Sequence, residues 1–158
     1  GLQKDDGESS LVKYKSFPLV LQTLLQSYLN KGGNLLVSGS YLASDMQTND
    51  ERHFTESVLH YAPADDISKT DSLIHGNHID FQIQTDLKAG QYAVIHPDRL
   101  APTEGAFPCL TYSDGSCAGV AFADKKATII ALGFPFESIV QNENRNKLMK
   151  AFLQMFPK

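Results

Sequence analysis

The sequence predicts an open α/β domain that carries an antiparallel β insertion. Three observations predict it. A helical repeat feeds an apolar strand through Lys31-Gly32-Gly33-Asn34, and that strand (35–37) ends in the tight corner Ser38-Gly39-Ser40-Tyr41. A second fully apolar strand, 128–132, ends in another corner, Gly133-Phe134-Pro135-Phe136-Glu137-Ser138. Between them the periodicity changes to two. A helix leading into a strand with no polar alternation marks a strand covered on both faces. In such folds the corners beyond the carboxyl ends of strands are where ligands and nucleophiles sit.

Each element follows from local chemistry. Ser16 can cap a first helix and Pro18 suits its first turn. Leu21, Leu24, Leu25, Tyr28 and Leu29 recur at helical spacing, and Gly32-Gly33 ends the run. Thr48 to Glu51 has capping-box spacing, with Phe54, Val58 and Leu59 as the stripe of a short second helix that Pro63 ends. Ile79, Phe81 and Ile83 alternate with polar residues as a half-exposed strand, Tyr92 to Ile95 reads as another, and His75-Gly76-Asn77 as a turn. The strongest hairpin runs from Cys109 to Ala123 about Asp114-Gly115, the favoured type I′ pair. With a two-residue turn, Tyr112 faces Cys117 and Cys109 faces Val120, so the two cysteines are out of register for a disulfide and read as free, buried thiols. Asn142 caps a closing helix with Leu148, Met149, Phe152, Leu153 and Phe156 on one face.

The 158 residues fit one domain, with residues 1–10 as a polar, frayed start and 11–158 as the folded unit. Hydrophobic residues make up 42% and charged residues 20%, which suits a globular core. Net charge is −4 with no Lys/Arg run, so no nucleic-acid partner is expected, and no apolar run is long enough for membrane insertion. A doubly wound domain opens with strand–helix–strand, whereas this chain opens with a helix at a non-Met start. Its first strand or two are therefore expected to be missing or supplied by another segment.

Two sets of residues carry family resemblances. The order of helix, Gly-Gly, strand, corner, hairpin, last strand and the segment Phe134-Pro135-Phe136-Glu137-Ser138 is similar to class I glutamine amidotransferase-like domains, which implies a flavodoxin-like three-layer fold. Their Cys nucleophile falls on Gly39 or Ser40 here and their His on Pro135, while Glu137 matches their Glu. A Cys–His pair works through a thiolate that the imidazole maintains, so the resemblance implies that glutamine hydrolysis is absent. The phrases from Gly32 to Tyr41, Tyr112-Ser113-Asp114-Gly115 with Ala118, and Leu132 to Glu137 before Arg145 resemble the amidotransferase-like domain of bacterial secreted xanthan-lyase-like proteins. That resemblance implies a secreted or cell-envelope location and other domains of the same chain as partners.

Each candidate residue has a bland reading beside the functional one. Ser38 and Ser40 could act as nucleophiles, but the Gly-x-Ser-x-Gly pattern is incomplete and small residues also suit a sharp corner. Glu137 could bind a ligand or simply enter a helix. His75 and His78, with Asp71 and Asp80 nearby, have metal-site spacing, but spacing of this kind in a turn is unspecific and no metal is expected. His53 and His60 read as a solvated stripe, and His96 before Pro97-Asp98-Arg99 as loop. Asp45, Asp50 and Glu51, and the pair Asp65-Asp66, could do paired-carboxylate chemistry but read as caps and loop acids. Tyr41 is the best residue for stacking on a sugar.

The expected function is a non-catalytic module of a polysaccharide-processing protein, acting in interaction, scaffolding or carbohydrate contact. Its ligand-binding set is Gly39, Ser40, Tyr41, Asp45 and Glu137, with no cofactor. The alternative is a serine hydrolase using Ser38 or Ser40, with His78 or His60 as base and Glu137 orienting it.

Overall fold

The structure is a computed structural model that describes residues 15–64, 72–76, 78–86 and 92–157. The first helix, α1 (Leu19–Asn30), begins after Pro18 and not at Ser16. Pro18 sits at φ −63°, ready for the helix, and its carbonyl accepts the first bond from Gln22 N–H. Gly32, at φ +85°, closes the helix with its N–H on Leu29 C=O, and Gly33 N–H bonds Tyr28 C=O. The chain then enters β1 (Leu35–Ser38).

Helix α2 (Asn49–Ser57) starts with the predicted reciprocal capping box between Thr48 and Glu51. Beyond it lie β2 (Tyr61–Pro63), β3 (Leu73–Gly76), β4 (Ile79–Gln82) and β5 (Leu100–Pro102). The remaining strands are β6 (Phe107–Tyr112), β7 (Cys117–Ala123) and β8 (Thr128–Leu132). A 3-10 turn, Phe136–Ser138, precedes α3 (Asn142–Met155), whose N-cap is Gln141 and not Asn142. The predicted strand at Tyr92 to Ile95 is irregular chain, tied by Val94 N–H to Gln84 C=O.

Among the described residues six strands form one curled, mixed sheet, a half-barrel, in the order β1-β8-β7-β6-β3-β4; β2 and β5 pair separately. Among the described residues only β1 and β8 run parallel, with Leu35 opposite Ile129 and Ser38 opposite Leu132; every other pairing between named strands is antiparallel. This overturns the flavodoxin-like three-layer expectation. That fold needs successive parallel strands joined by crossover helices, and here the middle of the chain returns by hairpins instead. The two apolar strands also differ in place. β8 is buried at every position between β1 and β7, whereas β1 is half-buried throughout because it forms the sheet's edge.

Successive β8 residues serve two cores. Ile130 and Leu132 pack with Ile74, Phe81, Phe134 and the α3 residues Leu148 and Phe152. Ile129 and Ala131 pack with Leu42, Met46, Phe54, Tyr61 and the α1 residue Leu29.

The strong hairpin forms with a different turn from the one expected. Tyr112 N–H bonds Ser116 C=O, Gly115 N–H bonds Tyr112 C=O, and Gly115 sits at φ +84°. This is a three-residue loop with glycine at the left-handed position, and Asp114 Oδ1 accepts Ser116 N–H across it. Thr111, not Tyr112, therefore faces Cys117, and a bulge leaves Cys109 without a register partner. Both cysteines are free.

Candidate functional site

The corner after β1 is bonded from several directions. Gly39 N–H extends the ladder to Leu132 C=O. Ser38 Oγ accepts Phe136 N–H at 3.2 Å, so the β1 corner and the β8 corner are tied directly. Ser16 donates its hydroxyl to Tyr41 C=O at 2.9 Å and its N–H to Asp45 Oδ2 at 2.7 Å. Lys15 Nζ reaches Asp45 C=O and the Glu51 carboxylate. Tyr61, fully buried, donates its hydroxyl to Leu42 C=O.

The residue that holds most of this together is Asp98. Its Oδ2 accepts Ala43 N–H at 2.7 Å and Ser44 N–H at 3.3 Å. Its own N–H donates to Gly133 C=O at 2.6 Å, and its C=O accepts the Tyr112 hydroxyl at 3.0 Å. Asp98 thus links the β1 corner, the β8 corner and the end of β6. The close approach needs glycine at 133, because a Cβ there would lie 2.1 Å from Asp98 C=O. Arg99, also buried, points the other way. Its Nε donates to Ser116 Oγ and a terminal nitrogen to Asp114 Oδ2, and its guanidinium lies over the Tyr112 ring at 5.6 Å. The sequence reading took Pro97-Asp98-Arg99 for loop and missed this hub. An adjacent acid and base behind a proline was the available signal, but it does not say that both side chains are buried.

Tyr41 occupies the strained point of the corner. Its φ is +64°, a region that non-glycine residues rarely adopt, and its half-buried ring meets His96 at 6.4 Å in a tilted arrangement. Gly39 and Ser40 are half-buried beside it, and Asp45 is buried. Glu137 is exposed on the 3-10 turn and lines a shallow groove of about 520 Å³ with Phe136, Asn142, Arg145 and Asn146. The Ser38–Phe136 bond places that turn next to the β1 corner, so the two corners of the predicted ligand-binding set adjoin.

The histidines are used elsewhere. His78 lies at the β3–β4 turn at φ +62°, on the opposite edge of the sheet from Ser38 and Ser40. Four strand spacings separate β1 from β3, on the order of 19 Å. His75 pairs across that hairpin with Asp80 at 2.9 Å. His60, also at positive φ, stacks on Phe122 with ring centres 3.5 Å apart, and burial lowers its pKa against the opposing pull of Glu104. His53 bonds Ser57 along α2. Among the described residues no group of three or more His, Cys, Asp or Glu could hold a metal ion. Asp65, Asp66, Asp71 and Asn77 lie outside the described residues.

Comparison with known proteins bears on the fold. No protein-family model matches this chain, and no curated protein matches it. Among solved structures it is similar to the exo-β-1,4-mannosidase Op5Man5 from Opitutaceae bacterium strain TAV5, with TM-score 0.56 and 14% identity over 85% of this chain. It is also similar to the mmIFT52 N-terminal domain, with TM-score 0.59 and 17% identity over 90% of this chain and 73% of that one. The chain spans 22% of the mannosidase. At such identities the likeness concerns the fold alone. It corrects the resemblances drawn from the sequence: neither an amidotransferase-like nor a xanthan-lyase-like protein is among these neighbours. Gly-Gly turns, apolar strands and a Phe-x-x-Glu-Ser corner are short features that a mixed half-barrel accommodates as readily.

Proposed function

We propose that this chain is a non-catalytic interaction module of a larger polysaccharide-processing protein, and that it contacts carbohydrate through the corner at residues 38–45. The observation that carries this reading is the fixed presentation of Tyr41. Ser16 holds its carbonyl, Asp98 holds the next two N–H groups but one, and the ring stands beside His96 at a strained backbone position. A rigid, half-exposed aromatic with a polar tip suits the apolar face and hydroxyls of a sugar ring, because little conformational freedom is lost on contact. The exposed Glu137 carboxylate on the adjoining turn supplies acceptors for sugar hydroxyls. The mannosidase neighbour supports the setting, since there a fold of this kind is part of a longer glycosidase chain.

The test is a glycan array followed by calorimetry on the best ligand, for the native sequence and for Tyr41→Ala. Loss of the ring should weaken binding at least about tenfold, equivalent to ~1.4 kcal/mol. Unchanged affinity in the variant, or no glycan bound by the parent, removes the carbohydrate role. Labelling of Ser38 or Ser40 by a fluorophosphonate probe would refute the non-catalytic part.

A further inference from the structure

The groove beside Glu137 carries two opposite charges that do not cancel each other. It is lined by Phe136 and Glu137 from the 3-10 turn and by Asn142, Arg145 and Asn146 from the first turns of α3, and it encloses about 520 Å³. Spacings of three and four residues put the three α3 side chains on one helix face, over a length of about 6 Å. The Arg145 guanidinium bonds Asn142 Oδ1, and among the described residues no ion pair joins it to Glu137. Glu143, the other acid at this end of α3, is taken by Lys147 at 2.7 Å. The groove therefore combines an acceptor-only carboxylate, a donor-only guanidinium and two amides that do both, with the half-buried Phe136 ring as an apolar wall. Such a lining selects against charge of either sign. An anionic ligand meets Glu137 and a cationic one meets Arg145, whereas hydroxyl groups donate to the carboxylate and accept from the guanidinium.

The groove is joined to the Tyr41 corner by two links. Phe136 N–H is bonded to Ser38 Oγ, and Tyr41 lies three residues beyond Ser38, at most about 11 Å along the chain. His96, which meets Tyr41, belongs to a segment pinned at Asp98 to Gly133 and at Val94, through Gln84, to Ser138. The Tyr41–His96 pair thus stands over the same 133–138 corner that leads into the groove. We propose that the groove is a second sugar subsite, so that the ligand is a neutral oligosaccharide laid from Tyr41 across the 3-10 turn onto α3. This inference rests on the carbohydrate contact at residues 38–45 proposed above, and adds to it the length and the charge of the glycan. One unit stacks on Tyr41, and the following units place their hydroxyls between Glu137 and Arg145 and an apolar face on Phe136.

Calorimetry tests this with neutral cello-, manno- and xylo-oligosaccharides of one to six units, beside oligogalacturonates (anionic) and chitosan oligomers (cationic) of equal length. Affinity for the best neutral series should rise at least about tenfold from one unit to three, the worth of about one hydrogen bond to a charged group. In Arg145→Gln, and in Glu137→Ala at an exposed side chain, the same rise should shrink to about twofold. Tyr41→Ala should weaken every length together. Affinity that stays flat with length while Tyr41→Ala still abolishes binding overturns the second subsite and leaves the carbohydrate reading standing. Tighter binding of either charged series, or an undiminished rise in both groove variants, does the same. No binding by any series overturns the subsite together with that reading.

Discussion

Replacing Asp98 with alanine should unfasten the β1 corner while leaving the hydrophobic cores full. The carboxylate accepts Ala43 N–H at 2.7 Å, and Ala43 is only 1% exposed, so that donor has no route to water once the acceptor is gone. A buried donor left unsatisfied costs about 2 kcal/mol. The longer bond to Ser44 N–H, at 3.3 Å, adds about 1 kcal/mol. The sum of about 3 kcal/mol corresponds to a fall in melting temperature of roughly 6–12 °C for a chain of this size. Asp98→Asn keeps one acceptor oxygen without the charge and should lose only about 1 kcal/mol, since neutral acceptors bind roughly half as strongly. Urea unfolding measures both, with an unchanged m value as the sign that the native state alone was altered. An alanine variant within about 0.5 kcal/mol of the parent would refute the assignment of Asp98 as the clamp.

Two further perturbations follow from the titrating groups. The Glu51 carboxyl is held down to about 2 from its usual 4.5, chiefly by the Thr48 N–H and against the opposing effect of burial, with Lys15 beside it. A lowered folded-state pKa means that the ionised form's stabilisation is complete above 4.5 and is lost as pH falls toward 2. Glu51→Gln should therefore cost about 1 kcal/mol near neutrality and flatten the stability–pH curve across that acid window; an unchanged slope would count against it. Burial pushes the Cys109 thiol up to about 12 and the Cys117 thiol up to about 11. Ellman's reagent at about pH 8 should find both slow in the native protein and fast in denaturant, and a rapidly reacting thiol in the folded state would contradict the burial.

The residues that spoke clearly in the sequence were those whose meaning is local. Thr48 and Glu51 announce a capping box three residues apart, and the box forms. Gly32 ends α1 by the left-handed turn that only glycine adopts without strain. The apolar run at 128–132 is buried at every position. What was not legible depends on partners distant in the chain. The same apolar composition put β1 at an edge, because periodicity says which faces are covered and nothing about which strand lies alongside. Asp98 does lie in the loop expected there, but its clamp role was hidden because its donors, Ala43 and Ser44, lie 55 and 54 residues earlier. The hairpin turn missed by one residue, since Asp-Gly serves both a two-residue loop and a three-residue loop with a glycine bulge. At the candidate site, Tyr41 was singled out as an aromatic beside a corner, but its left-handed backbone is a property of the finished corner.

The parallel β1–β8 ladder has a bearing on the order in which the chain assembles. Asn34 Oδ1 and Thr128 N–H meet across 94 residues, whereas β6, β7 and β8 follow one another through short reversals. Closing so wide a loop is slow, and adjacent antiparallel strands can zip without waiting for it. The C-terminal meander should therefore organise first, with the helix and strand at the other end arriving last as the closing segment. A newly made chain would then hold β1 in reserve until β8, whose start at Thr128 lies 94 residues beyond Asn34, is ready to receive it.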